Sequence, residues 1–471
     1  MSDLSEYQDA LGRDYVLTGD AVAKWSRDWT GIYQWIPLAV VRPASTAEVA
    51  SVVKIAGRLG HKIVAVSGMT GVSGGARAEG CVMVSVDRLN QIEEIRPDAR
   101  LAIVGAGVIL SNLHDAVDTH DLVFPLTFGA KGSACIGGCL STNAGGSNVV
   151  RYGNTRDLCL GLEAVMPDGS ILNAMTELHK DNSGYNLKHL LIGAEGTLGI
   201  ITRAVVKLVP KPKAYATAMV AVPSLSDALT LLNRVQAETG DKVEAFEFMP
   251  AEYLEKLHQL KPATRRVFDT DHEVNILLEI GSTILTECVP NENGTIPLNE
   301  QFETILGTML EEEVLLDAVI AKNEAERREI WERREAAAEV QLSTLPLVNN
   351  DIALPLDKVA SFYDEARERV SAIVPDAPIS TVAHLGDGNL HFIVSLGDKY
   401  ADRHDEVMSL VEDVVLDYGG SFSAEHGIGL SKIPSMQRRK DPVAVATMRA
   451  IKNAIDPSDM MNPGKVIPPQ D

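Results

Sequence analysis

Two histidines, His384 and His391, bracket the tetrapeptide Gly386-Asp387-Gly388-Asn389. Gly-Asp-Gly-Asn favours a tight turn, so residues 383–393 read as a hairpin. Pairing Leu385 with Leu390 would put His384 opposite His391 on one face. Two neutral imidazoles held close together are the beginning of a divalent-ion site. Glu425 and His426, set among small residues before Gly427, offer a carboxylate and a third imidazole. Two histidines and one carboxylate with open positions suit Zn²⁺, with Mn²⁺ and Fe²⁺ as alternatives. The same spacing also fits a hairpin with incidental histidines and an acid, and at this point both readings stand.

Three glycine-rich stretches could position a second group. Residues 67–75 read SGMTGVSGG and follow a short apolar strand. Their amides could cradle a phosphate as a backbone nest. Residues 124–146 read FPLTFGAKGSACIGGCLSTNAGG, and six of the last 18 are glycine. A stretch this poor in large side chains cannot build its own core, and it lets the backbone approach something closely. Residues 193–199, GAEGTLG, form a third such turn. Two wide loops without a lysine anchor suit a pyrophosphate in the middle of a long cofactor; the bland alternative is a set of tight turns between strands. No Walker A pattern is present. Val104-Gly105-Ala106-Gly107 begins like a dinucleotide fingerprint, but Leu110 replaces the third glycine, so a Rossmann fold is not indicated.

The rest of the chain must hold these pieces. With 471 residues it is long enough for two or three domains. Lys plus Arg number 43 against 65 Asp plus Glu, a net charge of −22, which repels nucleic acid. Hydrophobic content of 45% and charged content of 23% are those of a globular protein. No apolar run approaches the ~20 residues that span a bilayer. The first twenty residues lack a basic start and an apolar core, so a cytoplasmic, soluble protein is expected. The five cysteines (81, 135, 139, 159, 288) lack CxxC spacing, which argues against a disulfide framework or a cysteine zinc site. Cys135 and Cys139 read as small space-fillers.

Ser45 and Glu48 form a capping box before a helix whose face is Val49, Val52, Ile55, Ala56 and Leu59. Strands are expected at 62–66, 81–86, 101–104, 160–165 and 199–209. Pro210-Lys211-Pro212-Lys213 marks a boundary. Beyond it strand-like runs at 216–222 and 274–280 alternate with charged helices, the longest from about 299 to 342.

These segments together carry a resemblance. SGMTGVSGG, FGAKGSACIGGCLSTNAGG, YGNTRD, LIGAEGTLGIIT, HLGDGNLHF, EHGIGLSK and NPGK run in order from about residue 40 to 466. The chain resembles flavoproteins of the vanillyl-alcohol-oxidase type, in the branch of D-2-hydroxyglutarate dehydrogenase, D-lactate dehydrogenase and the glycolate oxidase catalytic subunit. The resemblance implies an α+β protein. Its two-lobed α/β FAD domain would span 1–210, with lobes of about 1–99 and 100–210. An α+β substrate or cap domain with an antiparallel sheet would span 211–420, and a C-terminal helical segment returning to the FAD would span 421–471.

It further implies that Ser67, Gly68, Met69, Thr70, Gly71, Gly137, Gly138, Ser141, Thr142, Gly145, Glu195, Ile200 and Asn462 lie at FAD. His384, His391 and Glu425 would bind the metal, with His426 as base. Arg334, in Trp331-Glu332-Arg333-Arg334-Glu335, resembles the family arginine that grips a substrate carboxylate; a guanidinium fork suits that task. A salt-bridged helix face with Glu332 and Glu335 would look the same, and Arg333 reads as surface.

The implied reaction is oxidation of a D-2-hydroxy acid to the 2-oxo acid. An external acceptor, whether electron-transfer flavoprotein, quinone or cytochrome, would reoxidise the flavin. A homodimer is a family-level expectation. A flavin-dependent C–O transferase on the same fold is the alternative of another class. Where many relatives have GGNTG, this chain has Ser67-Gly68-Met69-Thr70-Gly71, and with no histidine in that loop the FAD is expected to be non-covalent. Relatives acting on 2-hydroxyglutarate carry a basic residue where Asn349 stands and often Asn where Ile393 stands. Both changes favour a monocarboxylate such as D-lactate over 2-hydroxyglutarate, with a D-2-hydroxyglutarate or glycolate dehydrogenase as the alternatives.

Overall fold

The computed structural model describes residues 4–470. It divides into two compact units. The first comprises Met1–Gly145, Gly153–Pro210 and Glu425–Asp471, and the second Gly146–Tyr152 and Lys211–Ala424. Among the described residues no helix is long and apolar enough to cross a membrane, and the five cysteines are free.

The first unit holds two main sheets. Strands Ala39–Val41, Val82–Ser85 and Ile63–Val66 run parallel, with Val16–Leu17 added antiparallel at one edge. Helix Thr46–Leu59 buries Val49, Val52, Val53, Ile55 and Ala56 in the adjoining core. Its N-terminus is capped as the sequence predicts, with Ser45 Oγ accepting the Glu48 N–H. The Glu48 carboxylate closes the box on Ala44 N–H, 2.7 Å away. The second sheet is antiparallel, in the order Ile92–Arg96, Leu101–Gly105, Ile200–Lys207, Cys159–Val165, Ile171–Ala174. Its geometry explains the Gly-Ala-Gly run. A Cβ on Gly105 would meet Leu89 O at 2.1 Å, and one on Gly107 would meet Val86 O at 2.1 Å. These glycines serve backbone packing.

The C-terminal segment joins this unit through helix Pro442–Ile455 and a parallel bridge between Ile63 and Met461. Buried Lys452 donates to Asp456 Oδ2 (2.6 Å), Thr197 O (2.9 Å) and Met461 O (2.8 Å). Asp456 also accepts the Met460 and Met461 amides.

The second unit is built on a seven-stranded sheet, all of its pairings antiparallel. Its order is Asp317–Ile320, Ala214–Val222, Val274–Ser282, Val243–Pro250, Ile379–His384, Asn389–Ser395, Leu347–Ala353. Side chains alternate between its faces. One face packs Phe246, Phe248, Ile276, Leu278 and Phe392 against helices Leu225–Thr239, Pro297–Glu311, Val359–Ile373 and His404–Asp417. The other face buries Met219, Leu277 and Met249 with residues of helices Ala251–Leu260, Glu324–Glu335 and Ala337–Leu342.

The long helix expected over 299–342 is corrected here. It is three helices, Pro297–Glu311, Glu324–Glu335 and Ala337–Leu342, with the edge strand Asp317–Ile320 between the first two. The break has local causes. Glu313 takes the left-handed conformation at φ +60°, and residues 317–320 pair with Ala214–Val222. Asn323 then caps the next helix by accepting from Ala325 and Glu326 N–H.

The Lys452–Asp456 tie yields a test. Burial alone would raise the Asp456 carboxyl pKa, but Lys452 and the Met461 and Met460 amides outweigh it and hold it below its ordinary value. A depressed carboxyl contributes its stability above the unfolded value of about 3.9 and loses it as pH falls through the folded value. Asp456→Asn, which removes the nearer of the two anions beside Lys452 and leaves it the exposed Asp459 at 3.3 Å, should cost about 2 kcal/mol at pH 7. Its deficit in unfolding midpoint, followed by tryptophan fluorescence, should shrink as pH falls below about 4.

Candidate functional site

In the first unit the predicted glycine loops come together. A Cβ on Gly68 would meet Ser133 O at 2.1 Å, and one on Gly138 would meet Ser67 Oγ at 2.5 Å, so the two loops touch through positions that only glycine fits. Gly137 meets the same limit against Ala106. Helix Ile136–Thr142 carries Gly137, Gly138, Ser141 and Thr142. The hydroxyls of Ser141 and Thr142 donate back to Gly137 O and Gly138 O, which leaves their oxygens to accept. Gly145 ends the stretch that follows, and Thr70 and Gly71 continue the first loop.

Met69 sits at φ +55°. Asn, the residue of many relatives there, adopts that region at lower cost than Met. Ile200 opens the strand Ile200–Lys207, and its side chain lies in the hydrophobic core.

Glu195 and Asn462 knit these loops. Glu195 N–H donates to Ser141 O (2.8 Å). Asn462 Nδ2 donates to Glu195 O (2.6 Å) and Gly75 O (3.2 Å), while its Oδ1 is buried without a hydrogen-bond partner. That orphan acceptor, and the open space beside Gly71, Gly129 and Gly132, fit a polar cofactor laid along the loops. The Glu195 carboxylate is committed elsewhere, to Ile428 N–H (2.7 Å) and Gly429 N–H (2.9 Å). Burial pushes its pKa up, against the pull of those amides. In the same loop His426 Nε2 stands 3.6 Å from Glu425 Oε1.

The second unit carries the histidine hairpin, and its register corrects the expected one. His384 pairs with Asn389, and His391 with Val382. A four-residue turn, closed by Gly388 at φ +79° and by Asp387 Oδ1 accepting Asn389 N–H, moves the pairing of His384 by two residues. An even shift keeps the face. The two rings are therefore diagonal neighbours, with centroids 5.5 Å apart at 80°.

Asp351 lies directly across from His391, Oδ1 to Nδ1 3.9 Å, and Asn389 Nδ2 donates to Asp351 Oδ1 (3.1 Å). Ala424 N–H donates to Asp351 O (3.1 Å), so this unit's chain ends beside Asp351, one residue before Glu425.

Arg334 does not pair with Glu332 or Glu335. Its Nε donates to Glu247 Oε2 at 2.7 Å, and its Nη2 lies 3.3 Å from His384 Nε2. Glu247 Oε1 accepts from His384 Nδ1 at 2.9 Å. The Glu247 contact assigns the Nδ1–H tautomer, and His384 Nε2 then faces the Arg334 guanidinium as an acceptor. Burial alone would raise the Glu247 pKa; His384 and Arg334 outweigh it and hold the carboxylate ionised.

Glu279, on the neighbouring strand, accepts Arg327 bidentately (2.7 and 2.8 Å) and Trp331 Nε1 (2.9 Å). Arg327, Trp331 and Arg334 thus dock one helix stripe onto two buried glutamates. Arg333, expected at the surface, is 4% exposed and donates to Glu329 O and Arg265 O. It is corrected because the helix packs against the protein on more than one side.

Sequence reasoning missed Glu247 and Glu279. The available signal was an acid inside each apolar strand, Ala-Phe-Glu247-Phe-Met and Leu-Leu-Glu279-Ile. Glu247→Leu should leave Arg334 without its anion and cost about 3–5 kcal/mol. Glu247→Gln, which keeps the shape and one acceptor, should cost less than half of that in the same thermal unfolding measurement.

Residues 211–466 match the family described as FAD linked oxidases, C-terminal domain, and residues 37–175 match an FAD binding domain. The chain is 33% identical over 453 residues to D-2-hydroxyglutarate dehydrogenase of Xanthomonas citri pv. viticola, covering 95% of this chain and 93% of that protein. It is 30% identical to a putative mitochondrial D-lactate dehydrogenase of Schizosaccharomyces pombe, covering 93% and 84%. Substrate-bound p-cresol methylhydroxylase shares the fold, with a TM-score of 0.74 at 14% identity over 99% of this chain and 96% of that one. The chain belongs to the FAD-linked oxidases, FAD-dependent oxidoreductases with a vanillyl-alcohol-oxidase-type fold.

Proposed function

We propose that the protein is a D-2-hydroxy-acid dehydrogenase that prefers a monocarboxylate with a neutral side chain, such as D-lactate. The observation that carries the reading is one buried polar strip on the second unit's sheet. There Arg334, His384, His391 and Asp351 gather on one face of the sheet beside the buried polar residues Glu247 and Asn389. Arg334 is held by Nε and Nη2, and its Nη1 makes no hydrogen bond among the described residues. That edge of the guanidinium receives the substrate carboxylate.

His384, His391 and Glu425 are the proposed ligands of a divalent ion, with Zn²⁺ the first choice and Mn²⁺ or Fe²⁺ the alternatives; Asp351 steadies His391 from across the strand. The donor set is two imidazoles and a carboxylate, which suits such an ion. When bound, the ion supplies Lewis acidity that lowers the pKa of the substrate hydroxyl. His426 takes the hydroxyl proton on an imidazole nitrogen. FAD, which the glycine loops around Gly68 and Gly138 would hold non-covalently, would supply the acceptor for the C2 hydride. The product is the 2-oxo acid, and an external acceptor reoxidises the flavin.

Side-chain preference rests on Asn349 and Ile393. They are register partners, one pair beyond Asp351 and His391 on the same face. Neither can neutralise a distal carboxylate. Relatives of the chain carry both substrate names, 2-hydroxyglutarate and D-lactate. Five free thiols and a negative net charge accord with a reducing compartment such as the cytoplasm and with a basic redox partner.

Anaerobic bleaching of the oxidised flavin by D-lactate, L-lactate, glycolate, D-2-hydroxybutyrate, D-malate and D-2-hydroxyglutarate tests the proposal. D-lactate or D-2-hydroxybutyrate should exceed D-2-hydroxyglutarate at least about tenfold in kcat/KM, because a desolvated carboxylate without a partner costs more than 1 kcal/mol. The highest value for D-2-hydroxyglutarate would overturn the side-chain preference. A flavin that no 2-hydroxy acid bleaches would overturn the activity.

A further inference from the structure

The Glu195 carboxylate lies beside Gly75 of the first glycine loop and takes its hydrogen bonds from the loop that carries His426. Its two oxygens take the amides of consecutive residues, Ile428 on Oε1 and Gly429 on Oε2. Two parallel N–H bonds to the two oxygens of one carboxyl group fix both the distance and the rotation of that peptide pair. The loop is shaped around this contact. Gly427 lies at φ +73°, and a Cβ on it would sit 2.7 Å from Glu195 Oε1. Gly429 lies at φ +50°, and its Cβ would meet Ser73 O at 2.1 Å. Ser73 grips the same loop from another side. Its Oγ donates to His426 O (3.0 Å), and its carbonyl accepts Leu430 and Ser431 N–H (2.8 and 3.1 Å).

Glu195 is itself immobilised. Its backbone is strained at φ +51°, its N–H is bound to Ser141 O, and its carbonyl is bound by Asn462 Nδ2. His426 stands two residues before Ile428, across Gly427. A clamp on 428 and 429, with Ser73 on the carbonyl of 426, determines where the imidazole stands.

We propose that Glu195 is a positioning residue for His426, coupling the glycine loops to the base through two backbone hydrogen bonds. The inference rests on the reading of His426 as the base. Glu195→Gln keeps one acceptor and turns an NH₂ toward the second amide, so it loosens the clamp without emptying the space. Gly427→Ala disturbs the same turn with Glu195 intact.

The test is single-turnover anaerobic flavin reduction by the FAD-loaded protein, using the fastest hydroxy acid of the panel. Wild type, Glu195→Gln, Gly427→Ala, His426→Asn and the Glu195→Gln/His426→Asn double variant are compared. Glu195→Gln should retain FAD with an unchanged visible spectrum and hold its substrate Kd within about twofold, while its limiting reduction rate falls about tenfold. Gly427→Ala should slow the same rate. In the His426→Asn background, Glu195→Gln should produce no further slowing, because the residue it positions is already gone.

Equal slowing in both backgrounds would overturn the clamp while leaving the base reading intact. Loss of FAD, or a higher Kd at an unchanged limiting rate, would also overturn it and return Glu195 to a purely cofactor or substrate role. A His426→Asn variant that reduces its flavin at the wild-type rate would overturn the base reading, and the proposal with it.

Discussion

A carboxylate removed from water must find its hydrogen-bond donors inside the protein, and in this chain that constraint fixes the side chains of the candidate site. Glu247 takes Arg334 and His384. Glu279 takes Arg327, Trp331 and Thr217. Asp456 takes Lys452 and two amides. Glu195 takes two amides of the loop that carries His426. Stripping any one of these buried carboxyl groups of its donors is costly, so the donors are not free to wander. The imidazoles and the guanidinium acquire fixed positions because acids behind them need partners.

Within each unit this constraint works with a different scaffold. In the second unit the antiparallel pleat supplies it. Glu247, His384, His391 and Asp351 share one face because strand register keeps alternate residues on one side. The helix stripe Arg327, Trp331, Arg334 then closes over two acids of that face. In the first unit the scaffold is backbone against backbone. Gly68, Gly105, Gly107 and Gly429 each stand where a Cβ would come within 2.1 Å of a carbonyl oxygen. The backbones approach one another closely at these positions, and Asn462 stitches the loops together.

Much of this was legible in the sequence for physical reasons. Ser45 and Glu48 announced a helix start, the small-residue run at 129–146 announced close approach, and the Gly-Asp-Gly-Asn turn put both histidines on one face. Even the wrong register kept that face, because the error was an even number of residues. What escaped were long-range partners. Glu247 lies 137 residues from His384 and 87 from Arg334, and no local pattern links them. The edge strand Asp317–Ile320 was masked by the acidic run before it and the mixed charges after it. Arg333 looked solvated because its acceptors are backbone carbonyls, which carry no sequence signature.

The proposed divalent ion on His384, His391 and Glu425 would be required before a hydroxy acid could reduce the flavin. The direct measurement is the anaerobic bleaching rate of protein dialysed exhaustively against a chelator, then given one equivalent of Zn²⁺ or Mn²⁺. The account predicts that FAD stays bound, that bleaching falls at least about 100-fold, and that the metal restores it, since Lewis-acid stabilisation of the developing alkoxide contributes several kcal/mol. Bleaching at the full rate by metal-free protein would contradict it.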